Sequence, residues 1–377
     1  MPKTTQPPSR TRVGIVGGGQ LAMMMAEASG NLPIDLSVLA SSTSDSAVDL
    51  IPSHQIGLAT NKDAVVAFGR QCDVVTFDHE VVNLDALKDL AASGVVIAPS
   101  PEALRFATDK AFQREEFARH GLPLPECLVL RELDLEALTE FSARHDVVVV
   151  KAARGGYDGR GVTVVHGDPT SLVSELLPHT PVVLEELLEL SSEIAISVVT
   201  GRDGSRVVYP PVDTIQRNGM CESVSVPSRL HPDLVAAAQK LATDVADIVG
   251  AVGVLAIELF ITSRGILINE VATRPHNSGH WSIEGAATSQ FENHLRAVAG
   301  LELGDATPMS TLATMINVVG SEHEPDWMAL ASIDGAVVHR YRKANRPGRK
   351  LGHVTIVGRS VDEHVQNVNA VRVILGL

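Results

Sequence analysis

Two apolar runs, Val254-Leu-Ala-Ile-Glu-Leu-Phe-Ile261 and Ile266-Leu-Ile-Asn-Glu270, flank a short polar break, and each carries one glutamate. Glu258 interrupts the first run and Glu270 closes the second, twelve residues apart and symmetric about Arg264. A hairpin closed by a three-residue loop at 263–265 sets them directly opposite each other, with Cβ atoms about 5 Å apart on one face. Two carboxylates placed so closely repel unless a cation lies between them. Oxygen-only ligands indicate magnesium or manganese rather than zinc. A divalent ion that also bridges nucleotide phosphates satisfies both groups. The alternative is a solvent-facing pair on an edge strand, and the apolar neighbours weigh against it.

A chain of 377 residues is too long for one ordinary core, so two or three domains are expected. Residues 1–12 are polar and Pro-rich without the apolar stretch of a signal peptide, and read as a disordered leader. Strands at 13–16, 36–40, 74–77 and 95–98 alternate with helical patterns, the signature of a parallel sheet with crossover helices. Pro99-Ser-Pro101 breaks this region, which ends near 105. One helix is predicted over 108–120 and another over 232–249, the latter with Leu234, Ala238, Leu241, Val245 and Ile248 on one face. From about Leu303 short strands suggest a β-rich end. A net charge of −14 argues against broad nucleic-acid binding. Nothing approaches the roughly eighteen apolar residues of a membrane span. Cys72, Cys127 and Cys221 form neither a zinc nor a disulfide pattern, which favours a reducing compartment, the cytoplasm.

Several segments carry candidate chemistry. Gly17-Gly-Gly-Gln-Leu-Ala22 matches a dinucleotide turn, but the second strand runs into Ser41-Ser42 with no acid until Asp45, which disfavours NAD. The turn still offers backbone amides at a helix start, a seat for phosphate. Lys151-Ala-Ala-Arg-Gly-Gly-Tyr-Asp-Gly-Arg-Gly161 places a lysine at a strand end before a glycine-rich loop able to wrap phosphate. It lacks the Gly-Lys-Ser/Thr of a Walker loop. Arg274-Pro-His-Asn-Ser-Gly-His280 is a polar loop just after the metal hairpin, where His276 can take or donate a proton near neutral pH. Glu185-Glu186-Leu187-Leu188 ends an apolar strand eight residues before Glu193, a layout suited to an adenine edge and ribose hydroxyls. Arg340, Arg342, Lys343, Arg346, Arg349 and Lys350 crowd into eleven residues, either a solvated loop or a clamp for a small anion.

Six strings taken together resemble the ATP-grasp enzymes, and more narrowly the N5-carboxyaminoimidazole ribonucleotide synthetases. They are Gly17-Gly-Gly-Gln-Leu21, Gly155-Gly-Tyr-Asp-Gly-Arg-Gly161, Glu258, Ile268-Asn-Glu270, Arg274-Pro-His-Asn-Ser-Gly-His-Trp281 and Arg346-Pro-Gly-Arg-Lys-Leu-Gly-His353. The resemblance implies a mixed α/β and α+β chain. A doubly wound pre-ATP-grasp domain would span 13–105 and a central ATP-grasp domain 106–302, with a small lid at about 147–205. A β-rich C-terminal domain would span 303–377.

Carried over residue by residue, Arg105, Lys110 and Lys151 meet ATP phosphates, with Gly156, Tyr157, Asp158, Gly159, Arg160, Gly161 and Val162 as the loop over them. Glu185, Glu186, Leu187 and Leu188 hold adenine, Glu193 the ribose, and Gln216 and Asn269 further nucleotide contacts. Glu258 and Glu270 ligate magnesium or manganese. Gly18, Gln20, Leu21, Glu80, Arg274, His276, Asn277, Ser278, Lys343, Arg349 and Lys350 receive aminoimidazole ribonucleotide. Tyr157, Asp158, Arg160, His276 and Lys343 form the catalytic group around bicarbonate. The chain departs from the family pattern at Thr214-Ile-Gln216, which stands for Asn-x-His, at the Arg105 spacing, and at Phe77-Asp-His-Glu80, which stands for Tyr-Glu-Phe-Glu.

The implied reaction is ATP-dependent carboxylation of the ribonucleotide amine through carboxyphosphate, by a homodimer that passes its product to a separate mutase. Competing readings are a formate-dependent formyl-transferring ligase and a non-catalytic nucleotide-binding homologue.

Overall fold

The computed structural model describes residues 10–155, 161–217 and 219–377. β1 (Thr11–Val16), α1 (Gln20–Ala28), β2 (Ile34–Ala40), β3 (His54–Ile56), α2 (Lys62–Gly69), β4 (Val74–Phe77), α3 (Leu84–Ala92) and β5 (Val96–Ile97) build the first layer. Its five strands are ordered β3-β2-β1-β4-β5, and every pair is parallel. β1 begins at Thr11, inside the stretch expected as leader, because Arg12 is tied down: its N–H and its guanidinium both donate to the Asp73 carboxylate. Strand order reverses at β1 and β4, so the crevice beyond their C-terminal ends is where an open α/β sheet takes ligands.

The helix expected over 108–120 is α5 (Lys110–Arg119), and a separate helix, α4 (Pro101–Thr108), precedes it. Asp109 makes the break. Its backbone is extended and its side chain accepts from the Phe112 N–H, so the residue that ends α4 caps α5.

β6 (Cys127–Leu130), α6 (Leu135–Arg144), β7 (Val147–Ala152), β8 (Val162–His166), α7 (Thr170–Leu176) and β9 (Val182–Glu186) form a small antiparallel sheet ordered β6-β9-β7-β8. This unit spans 127–186 rather than about 147–205. Cys127–Leu130 pairs with β9, while the strand after Glu186 joins another sheet. Leu138, Phe141 and Val173 of the two helices bury the apolar side chains of Val148, Val150 and Leu184.

β10 (Ser192–Thr200), β11 (Arg206–Val208), β12 (Val212–Arg217), β13 (Met220–Val226), α8 (Pro232–Val249), β14 (Gly253–Thr262), β15 (Gly265–Ala272), α9 (Ser282–Gly285) and α10 (Gln290–Ala299) follow. The chain ends with β16 (Leu312–Val319), α11 (Trp327–Ala331), β17 (Ala336–Arg340), β18 (Lys350–Gly358) and α12 (Val361–Leu375). β10 to β18 make one nine-stranded sheet, ordered β15-β14-β10-β12-β13-β16-β18-β17 with β11 beside β10. The expected β-rich end therefore builds no sheet of its own. It extends the central one through the β13–β16 pair, and α12 covers it, packing Val371 with Ile316 and Val354. α8 lays the buried Ala238, Leu241 and Val245 against Ile194, Ile196, Leu255 and Ile257. α10 joins the layers: Phe291, Leu295 and Val298 pack with Met23, Met24 and Met25 of α1.

Candidate active site

The β14–β15 hairpin turns on two residues, Ser263 and Arg264, with Thr262 paired to Gly265. A three-residue loop was expected. Continued without interruption, the observed register would set Glu258 against Asn269. It shifts between Glu258 and Leu259 instead, so Leu259 faces Ile268 and Glu258 faces Glu270. Asn269 is the extra residue of a β-bulge, a device that re-aims side chains at the cost of one ladder position. The opposition of the two glutamates thus stands, but the bulge produces it rather than the turn. Asn269 is turned to the same place, its Nδ2 donating to Glu258 Oε2 at 3.2 Å.

The start of α5 faces this hairpin. Lys110 Nζ lies 2.6 Å from Glu270 Oε1. One helical turn on, Arg114 donates through Nε to Glu185 Oε1 at 2.7 Å and through its terminal nitrogen to the Asn269 carbonyl at 2.6 Å. Lys151, at the end of β7, reaches Glu185 Oε2 at 2.6 Å. Burial alone would raise the Glu185 carboxyl, but Arg114 and Lys151 outweigh it and hold it at about 2. Burial likewise opposes ionisation of Glu270, yet Lys110, Lys151 and Arg114 keep its pKa below the ordinary value. Glu258 has no such help. Burial first, then the charges of Glu270 and Glu193, push it up to about 7 against the pull of Lys110 and Lys350. Burial also raises Glu193, which faces Phe260 on β14 and Thr214 on β12 and so shares the sheet face of Glu258.

A divalent ion fits this arrangement. Glu258 is held in an unfavourable charge state that a cation relieves, and both oxygen donors suit a hard metal. Among the described residues no group of three or more His, Cys, Asp and Glu side chains is set to hold a metal. Glu258 and Glu270 are the two carboxylates opposed there, a number compatible with magnesium, which proteins bind through one or two carboxylates.

The remaining nucleotide candidates stand as follows. Gly161 closes the loop after β7 by accepting from the Ala152 N–H at 2.9 Å. Val162 follows it, exposed at the start of β8. Gly156, Tyr157, Asp158, Gly159 and Arg160 lie outside the described residues. Glu186 spends its N–H on the Glu126 carbonyl, and its carboxylate accepts from Glu126 N–H and Arg264, tying the hairpin turn to the small sheet. Leu187 is exposed and Leu188 half-buried beyond it. Gln216 sits two residues along β12 from Thr214 on the same face, opposite Cys221. Arg105 lies over the Phe112 ring at 3.8 Å, while Lys110 is the residue that reaches the carboxylates.

On the first-layer side, two of the amides expected to seat a phosphate are already taken. Asp78, just past β4, accepts from the Gly19 N–H and from the Leu21 N–H. An internal carboxylate there offsets the positive helix end. Gly18 has no room for a side chain, since a Cβ would come within 2.7 Å of Ala40 Cβ. Gln20 instead points across to the C-terminal segment, accepting from Lys343 Nζ at 2.5 Å. Arg274 pairs with Glu80 at 2.7 Å, joining the loop after β15 to the loop after β4. His276 Nε2 stands 3.8 Å from Glu258 Oε1, and its Nδ1 shares a 2.9 Å hydrogen bond with Ser278 Oγ. Asn277 and Ser278 are buried beside it. The basic cluster divides. Lys350 acts on Glu258 and Lys343 on Gln20, while Arg340 lies over Trp327, Arg342 reaches Asp49 and Arg349 bonds to the Ala344 carbonyl.

Comparison with known proteins extends this picture. Three family models match: a ribonucleotide synthetase preATP-grasp domain over 10–108, an ATP-grasp domain over 115–291, and a phosphoribosylaminoimidazole carboxylase C-terminal domain over 313–367. The N5-carboxyaminoimidazole ribonucleotide synthase of Mycobacterium tuberculosis is 43% identical over 362 residues, covering 93% of this chain and 84% of the relative. The chain belongs to the N5-carboxyaminoimidazole ribonucleotide synthase family. The Aspergillus clavatus synthase complexed with ATP superposes with a TM-score of 0.90 at 31% identity, covering 98% of this chain and 99% of that one. The same fungal synthase with ADP and 5-aminoimidazole ribonucleotide gives 0.88 at 30% identity, with equal coverage.

Reading the sequence of this family member missed Arg114, Asp78 and Gln290. Arg114 stands four residues after Lys110 on one helix, a spacing that puts both on one face. Asp78 lies within the string from which only Glu80 was taken. Gln290 carries no signal in the sequence.

Proposed function

We infer that the cleft between the two central sheets is where this enzyme, an ATP-dependent carbon–nitrogen ligase of purine biosynthesis, carboxylates 5-aminoimidazole ribonucleotide with bicarbonate. The opposition of Glu258 and Glu270 above Lys110 carries the reading.

Lys110 and Lys151 bind the ATP phosphates, and the backbone from Glu185 to Leu188 with Glu193 and Gln216 receives the nucleoside. Glu258 and Glu270 hold a magnesium (or manganese) ion, which when bound supplies charge neutralisation at the γ-phosphoryl group. Bicarbonate is a poor electrophile because its carbon would have to expel hydroxide. A bicarbonate oxygen attacks the γ-phosphorus, its new P–O bond forming as the bond to ADP breaks, and carboxyphosphate results. The exocyclic amine then bonds to carbon, phosphate leaves, and the amine gives up a proton. His276 accepts that proton in this reading, which its 3.8 Å distance from Glu258 Oε1 supports. Arg274, Lys343, Arg349 and Lys350 take the ribonucleotide phosphate, with Gly18, Gln20, Leu21 and Glu80 against the rest of the molecule. Tyr157, Asp158 and Arg160 complete the bicarbonate site from the loop. The chain's tasks are positioning, charge compensation and exclusion of water.

No helix among the described residues is long and apolar enough to cross a membrane. Family resemblance supports a cytoplasmic homodimer and a separate mutase that consumes the carbamate. Phosphate release with ATP, magnesium, bicarbonate and aminoimidazole ribonucleotide, each omitted in turn, tests the function. Full turnover is expected only with all four. Turnover with formate in place of bicarbonate would instead support formyl transfer, and no turnover under any condition a non-catalytic homologue.

A further inference from the structure

We propose that Gln290 is a positioning residue that fixes His276 at the carboxylation centre, an inference resting on the reading of His276 given above. Gln290 is the first residue of α10 and is fully buried. Its side chain grips His276 from both sides: Oε1 accepts from the His276 N–H at 3.0 Å, and Nε2 donates to the His276 carbonyl at 2.7 Å. These two bonds fix which end of the amide is which. Nε2 therefore also faces His280 Nδ1, at 3.0 Å, and that ring nitrogen must be an acceptor. His280 is thus the neutral tautomer with its proton on Nε2, and burial likewise holds its pKa well below the ordinary value.

The loop is shaped to receive this amide. A Cβ on Gly279 would lie 2.3 Å from Gln290 Oε1, and the φ of Gly279 is not positive, so space rather than backbone conformation demands glycine there. Ser282 closes the arrangement, donating to the Gly279 carbonyl and accepting from the Gln290 N–H. α10 is itself anchored one turn on, where the fully buried His294 accepts from the Val254 N–H of β14 and bonds Thr76 of β4. One helix thus sets the His276 loop, the strand bearing Glu258 and the first-layer sheet in a common frame. A loop residue locked on both backbone groups to a rigid helix is how a proton acceptor is held within a few tenths of an ångström.

The test compares Gln290→Met, which keeps length and loses the bonds, with Gly279→Ala, which displaces the amide from the other side. His276→Ala is the reference. Gln290→Met is expected to lower kcat for carboxylation by about 10²-fold, leave KM for ATP within about twofold, and release more phosphate than carbamate formed. Gly279→Ala is expected to repeat this pattern in wild type and add little in Gln290→Ala, where the clash is gone. Unchanged kcat and coupling in Gln290→Met, alongside an impaired His276→Ala, would overturn the positioning role alone. Unchanged turnover in His276→Ala would overturn the reading beneath it. An equal loss of kcat, ATP binding and Tm in Gln290→Met would mark a purely structural residue and also overturn the proposal.

Discussion

Glu185 lies on the small antiparallel sheet and Glu258 on the nine-stranded one, with Arg114 reaching from Glu185 to the Asn269 carbonyl beside Glu258, and their surroundings drive them in opposite directions. Glu185 is enclosed by Arg114 and Lys151, its side chain 3% exposed, and sits at about 2. Glu258 is 27% exposed, faces Glu270 and shares a face with Glu193, and sits at about 7. Burial raises both carboxyls, so it does not set the direction. Neighbouring charge does. A carboxylate completely paired by the chain is architecture, whereas one placed among other carboxylates is incomplete until a ligand arrives. The Gly17–Gly19 turn repeats the lesson, because Asp78 takes from within two of the amides that a phosphate would otherwise meet.

Glu270→Ala breaks this comparison most severely. It removes half of the carboxylate pair proposed to hold the cation, and phosphate release is expected to fall by about 10³-fold or more, with circular dichroism unchanged. Near-normal release by the folded variant would remove the metal assignment. Glu185→Gln attacks the other side. Arg114 and Lys151 would remain buried without their anion, and denaturant unfolding should show a loss of about 3–5 kcal/mol. A smaller loss than for an exposed pair would mean that water reaches the triad.

The two glutamates should also give stability opposite slopes with pH in metal-free protein. Glu258 has a folded pKa of about 7 against an ordinary 4.5, so its contribution is present below pH 4.5 and lost as pH rises through about 7. Glu185, at about 2, contributes above pH 4.5 and loses that contribution as pH falls through about 2. Glu258→Gln should therefore flatten the decline in unfolding free energy between about pH 4.5 and about pH 7. An unaltered decline would place its origin elsewhere. The smallest effect is expected of Lys350→Ala, which should raise KM for the ribonucleotide about tenfold with little change in kcat. An unchanged KM would assign Lys350 to the surface.

Much of the frame is legible in residues alone. The parallel first layer, α8 and the β14–β15 ribbon all follow from period and punctuation. Boundaries were harder where one residue does two jobs. Asp109 ends one helix and caps the next, and its side chain also accepts from Arg154, so a helical pattern runs through it unbroken in the sequence. The bulge at Asn269 escapes counting, since a three-residue loop and a two-residue loop with a bulge place Glu258 opposite the same partner. Arg114 and Gln290 are polar residues on helices, where pattern reads solvent, and tertiary packing alone makes them buried. The C-terminal strands were read as strands, but not as a continuation of the central sheet, because strand partners far apart in sequence leave no local trace.

A crystal of the chain grown with a nonhydrolysable ATP analogue and manganese would test the central claim most directly. An anomalous peak about 2.2 Å from a carboxylate oxygen of both Glu258 and Glu270 is the expected result. Manganese bound to phosphate alone, with the two side chains turned apart, would contradict it.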